Sequence, residues 1–223
     1  MPTRRLIPLV LILVLPFVYS CGDDDSVNGI VDPPDPDPYR SLTVRDNVLF
    51  NLEKCWNERN IERFDELLDS NFEFVFSAAD VKNGDVLAAD WDRAAEMSAA
   101  ANMFDPNYVS SIRDPVSSIN LTLTYGEGEN FWAPFLPDEE EFHGETWFSK
   151  SFRYRLTVET GDYTYVGDNI LASVTLRQAP GGGGDWRIVS WRDDNNNALN
   201  ETARGGSSTQ DTTWGKVKSL YAD

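Results

Sequence analysis

The chain has few of the residues that bind transition metals, and it has little positive charge. Among 223 residues there are two cysteines and one histidine, and 19 basic residues stand against 37 acidic ones. The net charge of −18 repels polyanions and argues against nucleic acid as a partner. Cys21, Cys55 and His143 are too few for a zinc site built from cysteine and histidine, and neither a metal nor a cofactor is predicted.

The common catalytic and nucleotide-binding motifs are missing as well. The sequence contains no G-x-S-x-G and no H-E-x-x-H motif. Its glycine run, "PGGGGD" at 180–185, precedes a strand-like stretch, whereas a phosphate-binding loop precedes a helix. Its acidic clusters lack the spacing of a calcium-binding loop. No motif in the sequence therefore indicates a function, and any activity depends on residues that the fold brings together in a pocket.

Apolar and aromatic residues are plentiful. Hydrophobic residues make up 41% of the chain, with seven tryptophans, eight tyrosines and twelve phenylalanines. That content supports a well-packed core, and the length suits one domain with tails.

The first twenty residues have the three parts of a secretory signal. Arg4 and Arg5 provide a positive start, residues 6–18 are apolar, and the small Ser20 precedes Cys21. The apolar stretch is shorter than the ~20 residues of a membrane-spanning helix. An uncleaved N-terminal anchor is the alternative reading of this segment.

The sequence "VYSC" at 18–21 resembles the lipobox of bacterial lipoproteins. The resemblance implies that 1–20 is removed and that Cys21 carries lipid, including palmitate, which fastens the protein to a membrane. Lipoproteins retained in the inner membrane typically carry aspartate where this chain has Gly22, so in a two-membrane bacterium the resemblance favours the outer membrane, facing the periplasm. Cys55 is then expected to be a lone, buried thiol without a disulfide partner.

Residues 21–38 are expected to form a lipid-bearing tether. After Cys21 the sequence reads "GDDDSVNGIVDPPDPDP", which has no apolar periodicity and repeats Asp-Pro. Proline fixes its own backbone and restricts the residue before it, so this stretch favours an extended spacer.

A domain is predicted over 39–197, beginning with helices. Thr43 is predicted to cap a first helix and Asn60 a second, and Asp90 is expected to begin a third, alanine-rich helix. The remainder alternates apolar and polar residues, which is typical of strands joined by turns. Helices followed by antiparallel strands predict an α+β domain.

Two stretches of this domain resemble the nuclear transport factor 2-like (NTF2-like) superfamily, which includes SnoaL-like cyclases and ketosteroid isomerases. They are "LFNLEKCWNERNIERFDELLDSNFEFVF" at 49–76 and the closing "WRIVSWRD" at 186–193. The resemblance covers about 39–195. It implies three N-terminal helices packed on a curved antiparallel sheet around a cone-shaped pocket. It does not specify an activity, because such folds host many functions.

Catalytic members of that superfamily use an acid or a histidine in the cone, with tyrosines as hydrogen-bond donors. The candidates here are Glu73 as base, Tyr154 as donor and His143, although a core tyrosine and a loop histidine are the plainer readings. Asp193 is expected to have a structural role at the end of the sheet. The expected pocket-lining residues are Phe72, Phe74, Phe76, Tyr125, Tyr154 and Trp191.

Two segments go beyond a minimal domain of this kind. Residues 126–146 are too long for a hairpin turn and rich in aromatics, so they are expected to pack on the sheet or to cover the pocket as a lid. Residues 198–223 are interpreted as a polar linker and a docking segment. Trp214, Val217 and Tyr221 share one helical face there, which suggests docking on the domain or on a partner.

The sequence favours a noncatalytic, lipid-anchored module, in the periplasm or on the cell surface, that binds a small apolar ligand or a protein. The first alternative is an isomerase, dehydratase or cyclase acting on a small apolar substrate in the cone. The second is an assembly component that forms a homodimer. A buried carboxylate beside a tyrosine would favour the enzyme, and a cone filled by the protein's own aromatic side chains would argue against it.

Overall fold

The computed structural model describes residues 37–109, 114–126, 130–135, 146–181, 183–194 and 209–222. These residues belong to one compact unit. Its elements in chain order are α1 (Arg45–Glu58), α2 (Ile61–Leu67), β1 (Leu68–Val75), α3 (Ala78–Asn83), β2 (Asp90–Asp92), α4 (Arg93–Phe104), β3 (Val116–Thr124), β4 (Ala133–Phe135), β5 (Trp147–Thr160), β6 (Thr164–Gln178), β7 (Trp186–Asp193), β8 (Thr209–Asp211) and α5 (Trp214–Ser219).

The expected α+β architecture is confirmed, with helices packed on a curved, open sheet. The strand order is β2-β1-β7-β6-β5-β3 among the described strands; β4 pairs with β5, and β8 pairs with β6. The sheet is mixed, whereas a wholly antiparallel one was expected. β1 runs parallel to β7 because the chain crosses from one to the other through the rest of the domain, and β8 runs parallel to β6.

The first two helices follow the apolar stripes of the sequence. α1 buries Val48, Leu52 and Trp56 completely. The amide of Arg63 donates to the Asn60 side chain, so the predicted cap of α2 is confirmed. The predicted Thr43 cap of α1 is wrong, because Val44 takes that position without a side-chain hydrogen bond.

The third predicted helix begins later than expected. Asp90–Asp92 forms strand β2 against β1, and Asp92 caps α4 by accepting from the amide of Ala95 at 2.9 Å. The short helix α3 lies between β1 and β2 and was not predicted. Trp91 of β2 pairs with Phe74 of β1, which places it beside the inner face of the sheet.

The core lies between the helices and the inner face of the sheet. Along β5, the side chains of Phe152, Tyr154, Leu156 and Val158 are buried in alternation with more exposed neighbours. Cys55 is a buried free thiol, as expected. Its burial raises the pKa of the thiol. This space is where the sequence resemblance implies a pocket.

Candidate functional site

Residues 209–222, called here the C-terminal segment, enter the space between the helices and the sheet. β8 pairs with the first residues of β6, and the Thr212 amide donates to the Val166 carbonyl at 3.0 Å. Thr213 then caps α5 by accepting from the amide of Lys216. The segment is therefore hydrogen-bonded to the sheet before its helix begins.

Gly167 allows the segment to approach β6 closely. A Cβ built on Gly167 would lie 2.8 Å from the carbonyl oxygen of Thr212. A backbone oxygen has little freedom to move away, so any larger side chain at this position would displace the segment.

Aromatic rings of the segment fill the interior. The Trp214 ring centroid lies 4.4 Å from that of Trp56 in α1 and 4.6 Å from that of Trp191 in β7. Trp214, Val217 and Tyr221 are completely buried. The apolar face predicted for this stretch thus packs against the domain, which was one of its two expected docking sites.

A tyrosine and a carboxyl group meet at the start of α5. The Tyr154 hydroxyl lies 3.3 Å from Asp193 Oδ1 and accepts from the Trp214 amide at 2.9 Å. The Gly215 amide donates to Asp193 Oδ2 at 3.1 Å. Both side chains are buried. The sequence predicts a structural role for Asp193 at the end of the sheet but does not reveal these partners.

Burial controls the protonation of this pair. It raises the pKa of Asp193 to about 7, although the Lys218 ammonium and the Gly215 amide act in the opposite direction. Burial and the neighbouring Asp193 carboxylate raise the pKa of Tyr154 well above its ordinary value. A carboxyl group whose pKa is near neutrality has the proton affinity that general acid–base catalysis uses.

A second buried pair joins α4 to α5. Lys218 Nζ lies 2.9 Å from Glu96 Oε1 and 2.7 Å from Oε2, and both residues are completely buried. Trp91 Nε1 also donates to Glu96 Oε2, at 2.9 Å. Burial lowers the pKa of Lys218 to about 8, with Glu96 opposing that shift.

A third polar contact links the segment to α3. Thr213 Oγ1 donates to Asp80 Oδ2 at 2.6 Å, and the Asp80 amide donates to Ser77 Oγ at 3.1 Å. Asp80 lies in this helix and is buried.

The structure brings most of the predicted pocket residues together. Phe72, Phe74, Phe76, Tyr154 and Trp191 are all buried in the same core. The Phe74 and Phe76 rings stand 5.0 Å apart and border Gly215 of the C-terminal segment. These residues line the interior, but the C-terminal segment of the same chain occupies it.

The remaining predicted site residues do not join them. Tyr125 follows β3 and is 40% exposed, near the Lys150 ammonium. Glu73 lies on the exposed side of β1, because adjacent strand residues face opposite sides and its neighbour Phe74 faces the core. His143 and Cys21 lie outside the described residues.

Sequence reasoning missed Glu96 and Lys218. Lys218 does lie on the apolar face of α5, because it is four positions after Trp214 and three positions before Tyr221. A lysine on an otherwise apolar helical face was therefore a signal that this residue is buried. Glu96 gave no such signal, since its partner is 122 residues away.

A separate cluster lies at the other end of β5. Lys150 is buried and pairs with Asp46 at 2.8 Å, and Trp132 Nε1 donates to the same carboxylate oxygen at 2.8 Å. The Arg45 guanidinium stands 3.8 Å from the centre of the Phe148 ring. β4, from the segment predicted to pack on the sheet or act as a lid, pairs with β5 here.

The described residues contain no group of three or more histidine, cysteine or acidic side chains placed to hold a metal ion. No helix within the described ranges is long and apolar enough to cross a membrane.

Comparison with known proteins gives matches among solved structures alone. No protein-family model and no curated protein sequence matches the chain. A candidate aromatic ring hydroxylase from Novosphingobium aromaticivorans is 10% identical with a TM-score of 0.45, over 71% of this chain and 91% of that one. A candidate dehydratase of the NTF2-like family from Streptomyces avermitilis is 9% identical with a TM-score of 0.40, over 66% and 89%.

An NTF2-like protein of unknown function in nutrient uptake, from Rhodospirillum rubrum, is 11% identical with a TM-score of 0.40, over 66% of this chain and 93% of that one. Two of these three proteins thus carry the family name that the sequence suggests. All three TM-scores are below 0.5, so the alignments carry no argument about activity or ligand. The filled interior, with its two buried polar pairs, is the feature from which function has to be argued.

Proposed function

We propose that this chain is an exported, lipid-anchored, noncatalytic module whose interior holds a peptide segment and not a small substrate. The observation that carries the proposal is the position of Trp214, packed against Trp56 and Trp191 where a substrate would bind. The segment that fills the site here is the protein's own.

The segment is held by specific contacts as well as by apolar packing. The amides of Trp214 and Gly215 donate to Tyr154 and Asp193, and the Lys218 ammonium pairs with Glu96. Recognition of backbone amides, an ammonium and an indole ring suits a peptide better than it suits a small apolar molecule. Tyr154, Asp193 and Glu96, the groups to which a polar substrate could bond, are thus already bonded to the segment.

The lipid anchor and the outer-membrane localisation are parts of the same proposal. They are supported by the apolar run before Cys21 and by the glycine after it. An anchored module of this kind presents its domain to the periplasm at the end of an acidic tether.

Hydrogen exchange on the full chain in detergent micelles tests whether the segment stays in place. The amides of Trp214 and Gly215 should exchange as slowly as those in the centre of β5 and β6, because both are buried and bonded. Exchange faster by more than about 100-fold would show that the segment leaves the interior without unfolding. That result would contradict a permanently filled module.

The enzyme alternative is favoured by one observation, the Tyr154–Asp193 pair. A buried carboxyl group with a pKa of about 7, next to a tyrosine hydroxyl, resembles an acid–base site. Catalysis would require the C-terminal segment to withdraw, since it occupies the adjoining space. Fast exchange at Trp214 and Gly215 would therefore support this alternative.

A further inference from the structure

We propose that the interior contains a binding site for a primary alkylammonium group, formed by Glu96, Phe74, Trp91 and Trp191, and that Lys218 occupies this site in the structure. The inference rests on the proposed function, because it names the chemistry by which the interior holds a segment. Its ligand class is the end of a lysine side chain or a small primary amine.

The carboxylate of the site is positioned by the domain itself. Trp91 Nε1 donates to Glu96 Oε2, which fixes the carboxylate beside the inner face of the sheet. The Lys218 ammonium contacts both oxygens, at 2.9 and 2.7 Å. A primary ammonium can donate one proton to each oxygen, whereas a quaternary ammonium has no proton to donate.

Aromatic faces form the walls of the site. Lys218 Nζ lies 3.4 Å from the centre of the Phe74 ring, 5.5 Å from that of Trp91 and 5.6 Å from that of Trp191. The negative faces of aromatic rings attract cations, most strongly where water is excluded. This combination of a carboxylate and rings selects a compact positive charge.

Receptor and ligand come from different parts of the chain. Glu96 lies in α4, and the three rings lie in β1, β2 and β7, whereas the ammonium arrives with α5. The binding groups therefore belong to the domain without α5. Removing only the ammonium would leave the buried Glu96 carboxylate without a countercharge, which is unfavourable. Binding of another cation at this position would then stabilise the folded protein.

Ligand rescue of a truncated lysine tests the site. Lys218→Ala in the full chain removes four side-chain atoms, and n-propylammonium supplies the same three carbons and one nitrogen. At ten times its Kd, n-propylammonium should raise the Tm of Lys218→Ala by about 3–6 °C, because it binds the folded state. The response should saturate with concentration, and potassium chloride at equal ionic strength should not reproduce it.

Matched ligands and variants separate ammonium recognition from simple filling of a cavity. n-Propanol has the same size without the charge, and tetramethylammonium has the charge without a donor; neither should match n-propylammonium. Lys218→Ala/Glu96→Gln keeps the space but removes the carboxylate, so the ammonium response should disappear. Lys218→Met fills the space and should not respond.

Two outcomes would overturn the inference: no shift with n-propylammonium, or an equal shift with n-propanol. If Lys218→Ala does not fold alone, the same ligands are compared by the folded fraction recovered on refolding. Failure of n-propylammonium to recover folded protein then counts equally against the site. Hydrogen exchange of the unmodified chain reports separately on the proposed function, so the two failures can be distinguished.

Discussion

Gly215 lies directly against the ring of Phe76, so closely that no side chain fits between them. A Cβ built on Gly215 would be 2.4 Å from Phe76 Cδ1 and 3.2 Å from Phe74 Cε1. Alanine normally favours a helix over glycine, but here we expect Gly215→Ala to lower the free energy of unfolding by about 1–3 kcal/mol through overpacking. Urea unfolding followed by tryptophan fluorescence measures the change.

The compensating change is Phe76→Leu in the same chain. The double variant Gly215→Ala/Phe76→Leu should lose less stability than the sum of the two single variants, because the smaller side chain makes room for the methyl group. Additive losses would mean that the contact between Gly215 and Phe76 does not limit packing.

Gly167→Ala should loosen the C-terminal segment where it joins the sheet. The new Cβ would meet the carbonyl oxygen of Thr212 at 2.8 Å, so the hydrogen bond from the Thr212 amide to Val166 should weaken. We expect a loss of about 1–3 kcal/mol and faster amide exchange in 212–221 than in β5. Asp168→Ala, at an exposed neighbouring position, is the control and should change stability by less than ~0.5 kcal/mol.

Asp193 should make stability depend on pH below neutrality. The folded state holds the Asp193 proton up to about pH 7, while the unfolded state releases it near pH 4. The folded state therefore binds more protons in this range, and the free energy of unfolding should fall as pH rises from about 4 to about 7.

Asp193→Asn cannot ionise and can still accept from the Gly215 amide. Its unfolding free energy should decline less than that of the unmodified chain between pH 5 and 7.5, by on the order of 1–3 kcal/mol. The nearby Glu96, Asp80 and Tyr154 are unchanged in both chains, and Lys218 titrates mainly above this window. Parallel pH profiles would show that Asp193 is ionised throughout.

Cys21→Ala should abolish lipid attachment. The unmodified chain, expressed in a bacterium with labelled palmitate, should carry the label, and Cys55→Ala should retain it because Cys55 is buried in the domain. Label remaining on Cys21→Ala would contradict the lipid anchor. If the unmodified chain carries no label and keeps the mass of the full precursor, the alternative of an uncleaved N-terminal anchor is favoured.

Local patterns predicted much of the scaffold. The stripe through α1, the Asn60 cap of α2 and the alternation along β5 and β6 are encoded within a few residues of each other. The Thr43 cap was wrong because its hydroxyl pairs with Ser41 Oγ at 2.9 Å, which a short sequence window does not reveal.

The site itself depends on contacts that no local pattern contains. Glu96 is a charged residue in an alanine-rich helix, and such a residue ordinarily faces solvent. Pairing with Lys218 makes its burial tolerable, and the Gly215 amide, from another part of the chain, does the same for Asp193. The apolar face of α5 predicted docking, but the sequence could not specify that this helix would enter the interior.

The filling of the core by residues 209–222 also has a consequence for the order of folding. Because this segment follows every other described element in the sequence, Trp214 and Tyr221 are the last described aromatic side chains available to cover the inner surfaces of the helices and the sheet. Until then Trp56, Trp191 and Phe74 face an unfilled space, a condition that favours aggregation. A chain truncated before residue 209 would therefore expose these aromatic surfaces and be prone to aggregation.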